Sequence, residues 1–388
     1  MLENKRNISD KHNLNNSFVA LLDSLRMVLS VCDNTAETDA ILRIGDITAP
    51  MMDIAQLMTE AQRQALTGLV AEYMAKHDTR MAHAEKMRCV TMVLQVEKKN
   101  RWMNDHVAAL AALFDGEGIR YAVIKGQTVA RFYPNPLLRV PGDIDVYVAE
   151  RDFDRACSLM ERQGYVMTDY TMLHATYSKK GCPEVEIHFA VQKLQWLPHY
   201  RCLQRITRQM VDNAKAKYID IDGLQVAILP AELEVLLYTI HAFNHVLNGG
   251  LGLRQVVDWM LCVRTIYDEI DIEKLEKLLA GTGMTAMFRV LGYICSEYLG
   301  MSLNTTLWIG TGLHYSDKDV KTGNELIKWI GVAGNFGHSL NQSRPQFYIR
   351  FLKNCWRFRR LGYKEVFIYP FMKIKRGMMG ENHLRNHL

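Results

Sequence analysis

The chain has 388 residues, of which 48% are hydrophobic and 23% charged, and its formal net charge is +5. This length predicts two or three cooperating units, and the composition excludes a globally disordered chain. No window approaches the roughly 20 apolar residues that a membrane helix requires, and no apolar run follows the first charges, as a secretory signal would need. The eight cysteines are scattered without a CxxC pair, which is typical of reduced thiols, and we therefore expect a soluble cytoplasmic protein.

The N-terminal region, residues 1–115, is predicted to be helical after a polar leader that ends near Ser17. Between Ala61 and Phe114 the sequence contains no proline, and Met and Leu recur at helical spacing opposite charged residues. This pattern favours two or three long amphipathic helices. The methionines are expected to fill the core between them.

The sequence pattern changes at residue 116, and residues 116–225 are predicted to form a small α/β core. Short β-prone runs alternate with helical segments and with turns rich in glycine and proline. The predicted elements are, in chain order, a strand at 121–124, a helix at 127–132, a turn-rich loop at 133–142, a strand at 143–148, a helix at 151–163, and strands at 165–167, 174–178 and 184–189.

Acidic residues on two of these strands are the candidate catalytic and metal-binding groups. Asp143 and Asp145 alternate with apolar residues, so both point to one face of their strand and could share a divalent cation. Glu186 could join them from a neighbouring strand. Lys125 and Gly126, upstream, would let phosphate approach. An Asp-x-Asp pair alone is also common on surface strands, but this combination favours a site for phosphoryl or nucleotidyl transfer.

Residues 226–340 are predicted to form a helical domain that opens at Leu229-Pro230, with proline at the first helical position. His241 and His245 lie four residues apart on one helical face, a spacing used by zinc sites, although no glutamate follows the first histidine. Zinc binding, contact with a substrate cleft and simple packing all remain open for this pair. Arg254 and Asp258, also four apart, are expected to form a local ion pair.

The C-terminal tail, residues 341–388, is basic and rich in aromatic residues. From Arg344 onward it has eleven Lys or Arg against two acidic residues, a balance of 11 − 2 = +9. Such a tail could contact anionic lipid or nucleic acid, or it could be a helical cap with a solvated basic face. A nucleic-acid substrate is less favoured because basic residues do not line the predicted core.

The middle of the chain resembles an uncharacterised bacterial branch of the polymerase-beta-type nucleotidyltransferases, over about residues 100–265. The resemblance implies an α+β fold, in which a small mixed sheet is flanked by N-terminal and C-terminal helical regions. It rests on these motifs: Ile124-Lys125-Gly126, Tyr133-Pro134, Arg139, Gly142-Asp143-Ile144-Asp145, Glu186-Ile187-His188, Leu229-Pro230, His241, His245, Leu253-Arg254 and Asp258-Trp259.

The resemblance also implies an activity. Such enzymes transfer a nucleoside monophosphate from a nucleoside triphosphate to an acceptor with two Mg²⁺ ions, for which Mn²⁺ can stand in. Here the acceptor would offer a hydroxyl of a sugar, small molecule or protein, and members of the branch suggest a link to surface polysaccharide synthesis. The roles implied for single residues are metal binding and catalysis by Asp143, Asp145 and Glu186, phosphate binding by Lys125, Gly126, Gln127 and Arg139, and substrate contacts by His188, His241 and His245.

The sequence departs from the superfamily pattern in three ways. Gln127 stands where serine is usual, Glu186 replaces an aspartate, and the interval from Gly126 to Asp143 is long. These departures keep open a catalytically weak or inactive nucleotide-binding protein with a regulatory or interaction role. A zinc hydrolase built on His241 and His245 is a third hypothesis. Arg139 could also brace the proline-containing loop, and His188 could be a structural histidine.

Overall fold

The computed structural model describes residues 14–30, 53–78, 81–248, 250–301, 315–335 and 344–379. The predicted fold class is confirmed, because a mixed β-sheet lies between helical regions that precede and follow it in the chain. The first helical region contains α1 (Asn16–Ser30), α2 (Ile54–Arg63), α3 (Thr67–His77) and the 34-residue α4 (His83–Gly116).

The strands described form one sheet in the order β3-β4-β5-β2-β1-β7-β6. β2 runs parallel to β5 and β1 runs parallel to β7, while the other neighbours are antiparallel. The elements of the core are, in chain order, β1 (Tyr121–Ile124), α5 (Gly126–Ala130), β2 (Ile144–Val148), α6 (Phe153–Arg162), β3 (Val166–Tyr170), β4 (His174–Ser178), β5 (Val185–His188), α7 (Leu197–Thr207), β6 (Lys217–Ile221) and β7 (Leu224–Ile228).

Both faces of the central strands are covered. Tyr121 and Val123 of β1 pack in a cluster with apolar residues of α4 and α6, whereas Ala122 and Ile124 belong to the larger core formed by the other helices. Because successive side chains of a strand alternate between faces, the sheet forms the middle layer of three. Asp145 points to the same face as Tyr147, whose ring belongs to the larger helical core.

The second helical region begins with α8 (Ala231–Asn248). Pro230 was predicted to be the first residue of this helix, but it lies one residue before it. It continues with α9 (Leu253–Ile266), α10 (Ile272–Thr282), α11 (Thr285–Leu299), α12 (Asp317–Ala333), α13 (Arg344–Arg357) and α14 (Tyr363–Met379). Among the described residues no single helix has the length and hydrophobicity of a membrane span. The neighbours α10 and α11 meet that test only together, with a bend of 117° between them.

The hairpin of β6 and β7 is absent from the sequence-based prediction. Asp222 and Gly223 have φ angles of 51° and 88° and form its two-residue turn. An Asp-Gly pair between alternating apolar residues is a strong hairpin signal, since both positions of this turn need positive φ. β7 ends at Ile228, three residues beyond the predicted end of the core at 225. The division into four regions otherwise stays a prediction.

Side chains from two helices hold the loop between α5 and β2 in place. Asn100 of α4 donates hydrogen bonds to the carbonyl oxygens of Leu137 and Arg139, at 2.7 and 2.8 Å. Arg254 of α9 donates to the carbonyl of Val140 at 2.9 Å. The loop is long, but these contacts fix its course directly before Asp143.

Candidate active site

Three carboxylates converge where β2 and β5 begin. Asp145 and Glu186 are paired residues of these parallel strands, and Asp143 lies just before β2. Oxygen atoms of Asp143, Asp145 and Glu186 lie within 4.8 Å of one another. The structure thus brings together the three acids predicted from the sequence. Asp145 is only 4% exposed, while Asp143 and Glu186 are half-buried.

Lys125 and Gly126 occupy the adjacent end of β1. The Lys125 ammonium donates to Asp145 Oδ1 at 2.7 Å. Its backbone has φ 60° and ψ −154°, which is uncommon for a residue with a side chain and costs about 1–3 kcal/mol. Gly126 follows with φ +48°, in the region that favours glycine. The Lys125 side chain thus reaches the carboxylate group from a strained turn.

Two histidines extend the carboxylate group across β5 and β4. His188 Nε2 lies 2.8 Å from Asp145 Oδ1 and 3.1 Å from Glu186 Oε2. His174 is the residue paired with His188 on β4, and its Nδ1 lies 3.4 Å from the same Glu186 oxygen. The sequence analysis named His188 as a substrate contact or a structural histidine, but it gave His174 no role. The pairing of β4 with β5 places His174 opposite His188, and a prediction of that pairing would have identified His174 as a site residue.

The electrostatics of the two aspartates differ. Burial favours protonation of Asp145, but Lys125 and His188 outweigh burial and hold the pKa of that carboxyl below its usual range. The charge of Asp145, followed by burial, raises the pKa of Asp143 to about 6. Burial opposes the charge of Lys125, yet Asp145 raises its pKa and keeps the ammonium protonated. The site is therefore a charged network built around Asp145.

Two predicted phosphate-binding residues have other partners. Gln127 is buried, and its amide nitrogen donates to the side-chain oxygens of Asn104 and, at 3.3 Å, Asn100. Arg139 donates to both carboxylate oxygens of Asp258 at 2.9 Å. This contact agrees with the alternative role of Arg139, which is to brace the loop. Asp258 therefore pairs with Arg139, 119 residues away, and the expected local ion pair of Arg254 with Asp258, two residues that the structure describes, does not form.

Arg254 is a cation near the site to which the sequence analysis gave no functional role. It is 9% exposed, and its Nε has no hydrogen-bond partner within the described part of the chain. Burial and the charge of Arg139 lower its pKa, against the opposing influence of Asp258, Tyr133 and Asp143. Its position depends on how α9 packs against the loop, which residue spacing does not reveal.

His241 and His245 face each other on α8, with their Nε2 atoms 3.1 Å apart. Burial, followed by the charge of Arg254, lowers the pKa of His245 to about 3, and burial together with His245 lowers that of His241 well below its ordinary value. The side-chain nitrogen of Gln192, Nε2, lies 3.4 Å from His241 Nδ1. Among the described residues, neither histidine belongs to a group of three potential metal ligands.

The carboxylate group fits a hard divalent cation. Mg²⁺ prefers oxygen ligands and is often bound by one or two carboxylates together with substrate phosphates. Asp143, Asp145 and Glu186 supply such oxygens, and the half-buried positions of Asp143 and Glu186 leave a path from solvent. In the absence of an ion, Lys125 and His188 offset part of the negative charge.

Comparisons with known proteins place the chain in a family and find similar solved structures. A family model described as "Uncharacterised nucleotidyltransferase" matches residues 50–300. No curated protein matches the sequence. The antibiotic-resistance factor ANT(2'')-Ia is 15% identical with a TM-score of 0.33, over 47% of this chain and 90% of that one. An antigenic nucleotidyltransferase-like protein from Paracoccidioides brasiliensis is 14% identical with a TM-score of 0.34, over 52% of this chain and 94% of that one.

Proposed function

The chain belongs to the family of uncharacterised nucleotidyltransferases, and from that premise we propose that it transfers a nucleoside monophosphate from a nucleoside triphosphate to a hydroxyl acceptor. The observation that carries the proposal is the convergence of Asp143, Asp145 and Glu186, with oxygen atoms within 4.8 Å of one another. The acceptor is a sugar, a small molecule or a protein, and a role in surface polysaccharide synthesis belongs to the same proposal.

Asp143, Asp145 and Glu186 are the residues that would hold Mg²⁺ or Mn²⁺. When bound there, the ion would supply positive charge to offset the negative charge of the triphosphate and of the leaving pyrophosphate. In the reaction, the acceptor oxygen forms a bond with the α-phosphorus, and the bond from that phosphorus to the bridging oxygen of pyrophosphate breaks. The proton of the acceptor hydroxyl passes to a carboxylate. In the alternative in which Asp143 and Asp145 alone hold the ion, Glu186, with its side chain 19% exposed, is the carboxylate that accepts that proton.

Positive charge for the phosphates would come from Lys125 and Arg254. Lys125 already contacts Asp145, and the backbone at Gly126 can approach phosphate because no side chain intervenes. Arg254 has an uncommitted guanidinium nitrogen and is close enough to Asp143 for their charges to interact. A guanidinium suits phosphate because its donors are arranged in a fixed fork. This assignment replaces Arg139, which is buried and whose Nε and Nη2 donate to Asp258.

Labelling with radioactive nucleotide distinguishes this function from its alternatives. We expect label from [α-³²P]NTP, but not from [γ-³²P]NTP, to appear on an acceptor or on the protein itself. Asp143→Asn and Asp145→Asn should abolish labelling, while Asp154→Asn, at an exposed position on α6, should not. Metal-dependent NTP binding without labelling, over a panel of sugar, small-molecule and protein acceptors, would instead support a regulatory nucleotide-binding protein.

We propose further that α13 and α14 contact an anionic membrane surface. Trp356 on α13 is 72% exposed, and Tyr363, Phe367 and Phe371 recur every four residues along one face of α14. Lys353, Arg360 and Lys364 are exposed in the same hairpin. The acidic residue of α13 and α14 within the described range is Glu365, which is buried and in contact with His199, so it adds no negative charge to the exposed surface. Exposed aromatic rings among cations complement a lipid surface with negative headgroups.

Liposome flotation tests the membrane proposal. The protein should float with vesicles that contain phosphatidylserine and remain unbound with vesicles of phosphatidylcholine alone. Replacement of Phe367 and Phe371 by serine should weaken binding at least several-fold, whereas replacement of the exposed Leu94 on α4 by serine should not. Flotation that does not depend on anionic lipid would overturn the proposal without affecting the transfer reaction.

A further inference from the structure

His174, Glu186 and His188 form a second group of potential metal ligands beside the three carboxylates. One ligand atom from each lies within 4.8 Å of the others. The two histidines are paired across the antiparallel strands β4 and β5, and their ring centroids are 4.7 Å apart. Glu186 Oε2 lies 3.1 Å from His188 Nε2 and 3.4 Å from His174 Nδ1. One carboxylate oxygen thus faces a nitrogen of each ring.

The donors of this group differ chemically from those of the carboxylate group. Two imidazole nitrogens and one carboxylate oxygen suit transition ions such as Mn²⁺, Fe²⁺ or Zn²⁺, whereas Mg²⁺ favours oxygen ligands alone. A buried donor or acceptor without a partner costs free energy. His174 Nδ1 is buried without a hydrogen-bond partner within the described part of the chain. A metal ion between the three residues would give that nitrogen a partner.

We propose that His174, Glu186 and His188 bind a divalent transition ion next to Asp143 and Asp145. Glu186 then serves both groups, and Asp145 Oδ1 lies only 2.8 Å from His188 Nε2, so the two groups are contiguous. The consequence is that the site selects an ion that accepts imidazole ligands over Mg²⁺. This inference rests on the proposed function only for the role of the ion, because ion binding can be measured without nucleotide.

Electron paramagnetic resonance of Mn²⁺ bound to the full chain tests the inference. Stoichiometric binding should remove the signal of free Mn²⁺, and electron spin-echo modulation should detect ¹⁴N nuclei of directly coordinated imidazole. His174→Gln should weaken Mn²⁺ binding roughly ten-fold or more and reduce the ¹⁴N modulation, by analogy with the cost of losing groups around a metal. Mg²⁺ affinity is measured in the wild type and in His174→Gln by competition with Mn²⁺. The substitution should change Mg²⁺ affinity less than it changes Mn²⁺ affinity.

The matched control is His83→Gln, which alters an exposed histidine at the start of α4, outside the proposed ligand group, and should leave the ¹⁴N modulation unchanged. A wild-type protein that binds no Mn²⁺, or binds it without ¹⁴N modulation, overturns the inference, as does full modulation in a His174→Gln, His188→Gln double variant. Transfer with Mg²⁺ in the absence of nitrogen coordination would overturn this inference alone. Nitrogen coordination without transfer under any metal would support the ion site and contradict the proposed function.

Discussion

Asp143 and Asp145 are two residues apart, yet their carboxyl groups behave in opposite ways. Asp145 is compensated by Lys125 at 2.7 Å and His188 at 2.8 Å, so it stays ionised although it is buried. Asp143 experiences chiefly the charge of Asp145, which raises its pKa to about 6. Without a bound cation, an ionised Asp143 therefore opposes folding. This is the expected cost of carboxylates that are placed together for an ion.

Removal of the Asp143 charge should stabilise the metal-free protein. Its folded pKa, about 6, exceeds the unfolded value of about 3.9, so the folded state holds the proton more tightly. The resulting stabilisation is complete below pH 4 and is lost as the pH rises through 6. We expect Asp143→Asn to raise the free energy of unfolding by about 1–2 kcal/mol at pH 7, relative to its effect at pH 4.

Urea denaturation with EDTA at both pH values measures this difference. Asp154→Asn serves as the control, because Asp154 is exposed on α6 and should show no comparable change. A lower stability of Asp143→Asn at pH 7 than at pH 4, relative to wild type, would contradict the electrostatic account of the site.

The His241–His245 pair gives the opposite dependence on pH. The pKa of His245 is about 3 in the folded protein and about 6.5 in the unfolded chain, so only the unfolded chain takes up the proton at intermediate pH. Stability should therefore fall as the pH drops from 6.5 toward 3, by up to about 1.4 kcal/mol per pH unit for this histidine. His245→Asn should reduce that slope, as measured by urea denaturation at pH 7, 6 and 5.

His83→Gln provides the comparison, since His83 is exposed at the start of α4. An equal slope in wild type and His245→Asn would mean that the pair does not remain neutral in the folded state.

The loop between α5 and β2 depends on contacts with α4 and α9. Tyr133 donates to Asp258 Oδ1 at 2.8 Å, and Arg139 forms two hydrogen bonds with the same carboxylate. Arg139 and Asp258 are 6% and 5% exposed. A buried charge that loses its partner is strongly destabilising, so this pair is a structural requirement for the loop that leads to Asp143.

Asp258→Leu should destabilise the protein by about 3–5 kcal/mol, because Arg139 remains buried without its counter-ion. The double variant Arg139→Met, Asp258→Leu should recover much of that loss, since two apolar side chains replace the pair. The free energy of unfolding from urea denaturation, arranged as a double-mutant cycle, measures the coupling. Single-variant losses that simply add in the double variant would show that the pair is energetically independent.

Local patterns predicted the central strands well because their signals lie within a few residues. Strand 174–178 has the predicted bounds, and β1 also agrees. The hairpin of β6 and β7 was missed although its Asp-Gly turn was visible in the sequence. The convergence of Asp143, Asp145 and Glu186 followed from strand alternation together with a resemblance to a family. The roles of side chains were harder to predict, because they depend on contacts between distant residues. Arg139, for example, binds Asp258 on α9, which is 119 residues away.

Helices before and after the sheet flank a charged site at the ends of β1, β2 and β5. α4 accepts hydrogen bonds from Gln127 through Asn100 and Asn104, and α9 brings the charge of Arg254 close to Asp143. Neither contribution could be derived from spacing, because helix packing decides which side chains approach the strands.

Pyrophosphate release tests the central claim most directly. The full chain is incubated with each of the four NTPs in Mg²⁺ or Mn²⁺, beside the Asp143→Asn, Asp145→Asn double variant, and samples are scanned by intact mass for an added nucleotide. We predict metal-dependent pyrophosphate release, with a panel of hydroxyl acceptors or by self-labelling, that falls at least a hundred-fold in the double variant. Equal release by the double variant, or NTP binding with no release under any of these conditions, would contradict nucleotidyl transfer at this site.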